Sequence, residues 1–219
     1  MSTIALTLAP PRTQRSARVT YQVGCALAGS ILIAGLAQIS FHLPFTPVPV
    51  TGQTLGVLMV GAAYGPGLGA TTVGLYLLWG VVGLPVFAPN ASGGHDTGLD
   101  VLRAASLTGG YLWGFVLAAA IVGALSHRGW DRSVRSSIGA MLLGSIAIYA
   151  IGVPWLYHGL PPIIDGQPVT METALSFGLY PFIIGDTLKL LVAAGLLPLA
   201  WRILDRVRPH DEDRLRAPH

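Results

Sequence analysis

The sequence predicts an all-α integral membrane protein, a bundle of six transmembrane helices with both termini in the cytoplasm. Three observations predict it. Of the 219 residues, 52% are hydrophobic and 11% charged, less than half of the roughly 25% charge of a soluble domain. The apolar residues gather in six runs separated by proline, glycine or charge. Eleven of the 13 Lys and Arg residues then fall on segments that a six-fold alternation puts on one side, the pattern by which membrane proteins set their orientation. This composition, with a mean hydropathy of +0.62, excludes an ordinary cytosolic enzyme. It also excludes a disordered chain, which needs low hydrophobicity and high charge. One crossing takes about 20 apolar residues. The expected division is therefore a cytoplasmic tail over 1–18, a membrane domain over 19–204 and a second cytoplasmic tail over 205–219, with no soluble second domain.

The elements follow in order. The first run, Val19–Phe41, is too long for the apolar core of a signal peptide, and no small-x-small cleavage site follows it, so a cleavable signal is not expected. Residues 44–49, Pro-Phe-Thr-Pro-Val-Pro, cannot be helical throughout. The second run, Thr51–Tyr64, has about 14 residues and spans about 21 Å as a helix, short of a crossing without tilt or local thinning. Gly65-Pro66-Gly67 is a turn. The third run is Leu68–Leu84, and a Gly/Ser/Asp-rich loop fills 85–106. The fourth and fifth runs are Leu107–Leu125 and Ser137–Leu156. Residues 157–179 read as a long polar-to-amphipathic loop. The last run, Pro181–Leu204, opens on a proline at a position helices tolerate.

The arginines orient this arrangement. Arg12, Arg15 and Arg18 precede the first run, and Arg128, Arg132 and Arg135 follow the fourth. Arg202, Arg206, Arg208, Arg214 and Arg216 close the chain. The other side holds Arg103 with Asp96, Asp100, Asp165 and Glu172. Both termini are thus expected in the cytoplasm, and the proline-rich link and the 85–106 and 157–179 loops outside. The pI near 9.3 reflects these flanking arginines, so no nucleic-acid partner is expected. The single cysteine, Cys25, cannot form an internal disulfide and says nothing about compartment.

One pair stands out chemically. Asp186 and the chain's only lysine, Lys189, are the ionisable side chains, tyrosines apart, that lie well inside an apolar run. Each costs several kcal/mol in hydrocarbon, so each must face protein, water or ligand. Their i, i+3 spacing puts them on one helix face, about 8–14 Å past the outer helix start, so a pocket they line opens outward. The alternative is an ion pair that only ties helices together. Gln53 lies at the same depth as the pair and is read equally as a pocket residue or as glue between helices. Gln38 is read as glue. Asn90 and Arg103 lie in the outer loop; Arg103, the lone outer cation, suits a carboxylate.

Small residues recur at four-residue spacing. Gly24 with Ala28, and Ala26 with Ser30 and Ala34, mark the first run as a candidate docking face for another helix. Gly61 with Gly65 and Gly110 with Gly114 are expected to pack within the chain. No Gly-x4-Gly-Lys-Ser/Thr loop is present, so ATP hydrolysis by that route is excluded. Paired Cys-x-x-Cys or His-Glu-x-x-His metal sets are also absent, and no cofactor is expected. Ser92 and His95 could suggest an intramembrane serine protease, but Ser92 lies in a glycine-rich loop rather than at a helix start.

Three stretches carry a family resemblance. The first is Leu43–Leu58, reading LPFTPVPVTGQTLGVL. The second runs from Tyr76 to Phe87 and on to Thr108-Gly109-Gly110-Tyr111 with Gly114-Phe115. The third is Tyr180-Pro181-Phe182-x-x-Gly185-Asp186-x-x-Lys189. In these residues the chain resembles the BioY family, the substrate-capture (S) component of energy-coupling factor transporters for biotin. Residues 157–169 exceed that family's usual loop. The resemblance implies six helices in the cell membrane and one biotin bound on the outer side as transported substrate. It also implies a membrane coupling subunit with paired ATPases as partner. Asp186 and Lys189 are then expected on the ureido ring, with Gln53, Asn90, Arg103 and Tyr111 as further pocket members. The readings that remain beside it are a biotin carrier working without ATPases, an intramembrane enzyme and a scaffold subunit.

Overall fold

The computed structural model describes residues 3–11, 13–103, 106–164 and 166–207. Arg12, Asp165, Arg208, Arg214 and Arg216 lie outside them. Each of the six apolar runs forms a helix, and two short helices flank them. The order is α1 (Ile4–Leu8), α2 (Arg15–Ala37), α3 (Gln53–Tyr64), α4 (Pro66–Val81), α5 (Gly109–His127), α6 (Val134–Gly159), α7 (Met171–Gly178) and α8 (Ile183–Val207). The proline-rich link leaves α2 through β1 (Ser40–Phe41) and returns through β2 (Val50–Thr51), an antiparallel pair. A second two-residue hairpin, β3 (Ile163–Ile164) with β4 (Gln167–Pro168), projects between α6 and α7.

Among the described residues, four segments are long and apolar enough to cross a membrane: Arg15–Ala37, Gly109–His127, Val134–Gly159 and Met171–Arg206. Helices α3 and α4, with 12 and 16 residues, are shorter than a full span. The outward faces confirm the solvent this fold requires. Val19, Val23, Leu27, Ile31 and Leu32 of α2, and Ile184, Leu188, Leu191, Val192, Leu196 and Leu199 of α8, are all exposed. Apolar faces of that extent are stable against lipid and not against water.

Helix α5 lies at the centre, packed on α3, α4 and α6, while α2 lies on α3 and α4, and α8 on α6 and α3. Close approach rests on small residues. A Cβ at Gly114 would sit 2.9 Å from the Ile148 Cα, so α5 meets α6 backbone to backbone there. The turn between α3 and α4 is set by Gly65, whose φ of +85° is a conformation other residues rarely adopt. Pro66 then starts α4 where its missing N–H is not needed. Gly61, Gly65, Gly110 and Gly114 thus serve contacts within the chain, as their spacing suggested.

The small stripe on α2 behaves differently. Ala26 is 8% exposed and Ser30 is fully buried; Ala34 is half-buried against the core. The Ser30 hydroxyl donates to the Leu27 carbonyl (2.9 Å). These three residues face α3 and α4 of their own chain, which corrects the expectation that they form the docking face. The neighbouring Gly24 and Ala28 are exposed instead. The physical reason is the 3.6-residue period: rows two residues apart point to nearly opposite sides, and sequence spacing alone does not say which row meets the bundle.

The end of the bundle that carries the α3–α4 turn also carries Arg15, Arg18, Arg128, Arg132, Arg135, Arg202 and Arg206. A polar clamp lies there. Asp131, buried in the α5–α6 connection, accepts the Trp201 indole N–H of α8 at 2.6 Å. The Arg132 guanidinium carbon lies 3.3 Å from the Trp201 ring centroid, and its Nε 3.9 Å from Asp131 Oδ1. Burial raises the Asp131 carboxyl above its ordinary value, and the indole and Arg132 offset that only in part.

Candidate functional site

At the opposite end the helices part around a cavity of about 500 Å³. Its floor and walls come from the start of α3, the start of α5, the second half of α6 and the first turns of α8. The proline-rich link and residues 87–91 form its rim. Asp186 and Lys189 line it together, with side chains 11% and 18% exposed.

The pair sits in a defined hydrogen-bond set. Lys189 Nζ donates to Asp186 Oδ1 at 2.8 Å and to Thr54 Oγ1 at 3.1 Å. Thr54 Oγ1 in turn donates to Asp186 Oδ1 at 3.3 Å, and the Tyr149 hydroxyl donates to Asp186 Oδ2. A carboxylate offers about four acceptor positions and an ammonium three donors. Within the described residues the set therefore leaves one acceptor position on Oδ2 and one N–H on Lys189. The site can receive a ligand that carries an N–H beside a carbonyl.

Gln53 also lines the cavity but is largely engaged. Its Oε1 accepts from Thr51 Oγ1 at 3.0 Å, and its Nε2 donates to the Tyr76 hydroxyl. Tyr76 reaches on to the Val86 carbonyl at 3.3 Å, so Gln53 fixes α3 to α4 and to the rim. Tyr111 is a buried wall residue, edge-on to Tyr149 with ring centroids 6.2 Å apart. Its hydroxyl donates to the Gly178 carbonyl at 2.9 Å. Asn90 stands at the rim. Its Oδ1 accepts from the Ser92 and Gly94 backbone N–H groups (3.2 and 2.9 Å) and from Ser92 Oγ (2.7 Å), and its Nδ2 donates to Asp96 (3.0 Å).

Arg103 is not brought to the cavity. It is 65% exposed and pairs with Asp100 at 2.8 Å, three residues earlier in a 3-10 turn over Leu99–Leu102. This corrects its expected place as a pocket member: Val101, two residues earlier, lines the cavity, while the Arg103 side chain lies out on the surface beside Asp100. Two residues not anticipated from sequence, Thr54 and Tyr149, complete the polar floor. Helix α7, read as loop, does not line the cavity but ties down two residues that do. Its last carbonyls have no partner within the helix, and those of Phe177 and Gly178 accept the hydroxyls of Thr46 (2.6 Å) and Tyr111. Ser92 Oγ is used by Asn90, and His95 Nδ1 lies 2.9 Å from the Phe87 carbonyl. Among the described residues the two make no nucleophile–base pair.

A lipid-faced helical bundle with one large, mostly apolar cavity and a few convergent polar groups defines a multi-pass membrane protein that binds a small molecule. The chain matches the BioY family over residues 11–206 and belongs to it. The biotin transporter BioY of Rhizobium etli is 35% identical over 178 residues, 78% of this chain and 87% of its own length. That of Rhodobacter capsulatus is 34% identical over 191 residues, 81% and 93% of the two chains. A crystal structure of the S-component for biotin from an ECF-type ABC transporter shares the fold, with a TM-score of 0.68 over 93% of this chain and 98% of that one, at 22% identity.

Proposed function

We propose that this protein captures biotin on the outer side of the membrane and delivers it inward, as the S component of an ATP-driven energy-coupling factor transporter. The observation that carries this is the Asp186–Lys189 pair on the cavity floor, with one acceptor and one donor left open. The ureido end of biotin presents an N–H beside a carbonyl and matches that pair. The thiolane ring and valeryl chain suit the walls from Phe115, Ile148 and Phe182. Tyr111 forms part of the wall, and Gln53 and Asn90 hold floor and rim in shape while each borders the ligand. The carboxylate lies toward the mouth. Biotin is substrate here, and no cofactor is needed for its binding.

Six crossings with both termini in the cytoplasm fit the helices. In support, the described arginines of α2, α8 and the α5–α6 connection gather at the end away from the cavity, so the cavity opens outward. The short α3 and α4 are accommodated by tilt and by the buried position of α3 among its neighbours. The energy source is a membrane coupling subunit with paired ATPases. Gly24 and Ala28, the exposed small row of α2, are the docking face for it. A carrier working alone is the second reading, favoured by the chain's having its own complete ligand cavity.

Uptake of labelled biotin in cells lacking their own biotin transporter tests this. The proposed role requires uptake when the chain is expressed with coupling and ATPase subunits, and its loss when the ATPases are inactivated. Full uptake with the chain alone establishes the second reading. Absence of uptake in both, with the protein in the membrane, contradicts biotin transport.

A further inference from the structure

We infer that Tyr149 is a specificity-determining positioning residue, whose phenol limits Asp186 to a single open acceptor and so selects a urea over ligands that offer only N–H donors. This rests on the reading that the ureido end meets Asp186 and Lys189.

Asp186 Oδ1 already receives Lys189 and Thr54, at 2.8 and 3.3 Å. Without Tyr149, both positions on Oδ2 would face the cavity, and the carboxylate would read any neighbouring pair of N–H groups. With Tyr149 donating to Oδ2, one position remains. Tyr149 is itself held in place. Its ring stands edge-on to Tyr111, which is tied to the end of α7, and its helix approaches α5 through Gly114. The phenol is therefore not free to swing away and yield its position to a ligand. Beside it, the remaining N–H of Lys189 demands an acceptor. The floor thus asks for one donor and one acceptor side by side. A cyclic guanidinium, with donors only, meets the carboxylate once and leaves Lys189 facing a positive group.

The test compares biotin with iminobiotin, in which a cyclic guanidine replaces the urea, by equilibrium binding to purified full-length protein at neutral pH. The wild type is expected to hold biotin at least tenfold more tightly; equal affinity overturns the inference without recourse to any variant. Tyr149→Phe removes one oxygen and keeps the ring. It frees the second position on Oδ2, which a donor-only ligand can use, so iminobiotin is expected to gain several-fold relative to biotin and the ratio to narrow. A phenol that served only packing would weaken both ligands equally or neither, and either result overturns the inference. A wild type that binds no biotin overturns the underlying reading as well, which sets that failure apart from an unaltered ratio in a protein that does bind.

Discussion

Asp186 and Lys189 are one helical turn apart on α8 and meet at 2.8 Å, but the pair acquires its function from Thr54 and Tyr149 on two other helices. Asp186→Asn keeps the shape and loses a charge-assisted acceptor; Lys189→Met loses the donor. Each is expected to weaken biotin binding about 10- to 100-fold, since hydrogen bonds to charged groups contribute about 1.5–3 kcal/mol. The protein should still elute as a folded species. Unchanged affinity in both variants would show the pair to be a structural tie. Five of the six expected pocket residues, Asp186, Lys189, Gln53, Asn90 and Tyr111, do line the cavity. The charged pair and Gln53 were legible because they are conspicuous in apolar runs, whereas Asn90 and Tyr111 were legible only through the family resemblance. Thr54 and Tyr149 were not, because hydroxyl residues are unremarkable in membrane helices and only tertiary approach brings them to the carboxylate. At the other end, Asp131 yields a pH prediction. Burial raises its carboxyl in the folded state, so the stability linked to its protonated form is present at low pH and is lost as pH rises through the raised value. Asp131→Asn keeps an acceptor for Trp201 and does not titrate. Thermal midpoints in detergent should therefore fall with rising pH more steeply for the wild type than for Asp131→Asn. Parallel curves would show that the carboxyl is not destabilised by burial.

Helix α2 shows what spacing can and cannot say. The four-residue repeats on it were legible, but both rows, Gly24 with Ala28 and Ala26 with Ser30 and Ala34, are equally small. Only packing against α3 and α4 decides between them. A bulky side chain now separates their roles. Ser30→Trp places a large ring at a fully buried position, and overpacking of about 1–3 kcal/mol should lower both stability and biotin binding. Ala28→Trp faces outward. It should leave binding by the isolated chain intact while co-purification with a coupling subunit, and uptake, are lost. Loss of binding in Ala28→Trp, or retained co-purification, would remove α2 as the docking face. Helix α7 was missed for a different reason. Its eight residues are too few for a clear helical period, and its start is a Thr170–Thr173 capping box, with threonine in place of the usual Glu or Gln. Its role is plain only in three dimensions, where its last carbonyls hold Thr46 and Tyr111. Thr46→Val frees the proline-rich rim from α7 and should speed biotin release several-fold, measured by stopped-flow displacement, with little effect on stability. An unchanged release rate would show that the tether does not restrain the rim.

The whole molecule was the most legible level. Apolar run lengths, the Gly-Pro-Gly turn and the placement of arginine are set by the bilayer itself, which admits few solutions: backbone polar groups must be satisfied within helices, and flanking cations favour one side. The six runs accordingly became α2, α3, α4, α5, α6 and α8, with ends shifted by at most four residues. The short helix α1, inside a segment read as a polar tail, was hidden by its brevity. Orientation is open to a direct check: a reporter active only in the cytoplasm should work when fused after Val207 and be silent within residues 92–98. The reverse result would turn the cavity inward. Cavity, charged pair and family membership converge on one statement, that this chain by itself holds biotin. Equilibrium binding of labelled biotin to the purified, solubilised chain, with other water-soluble vitamins as competitors, tests it most directly. Saturable binding at one site per chain is expected, displaced by unlabelled biotin and by none of the other vitamins; no saturable binding by folded protein, or equal displacement by an unrelated vitamin, would show that the chain is not a biotin-specific binder.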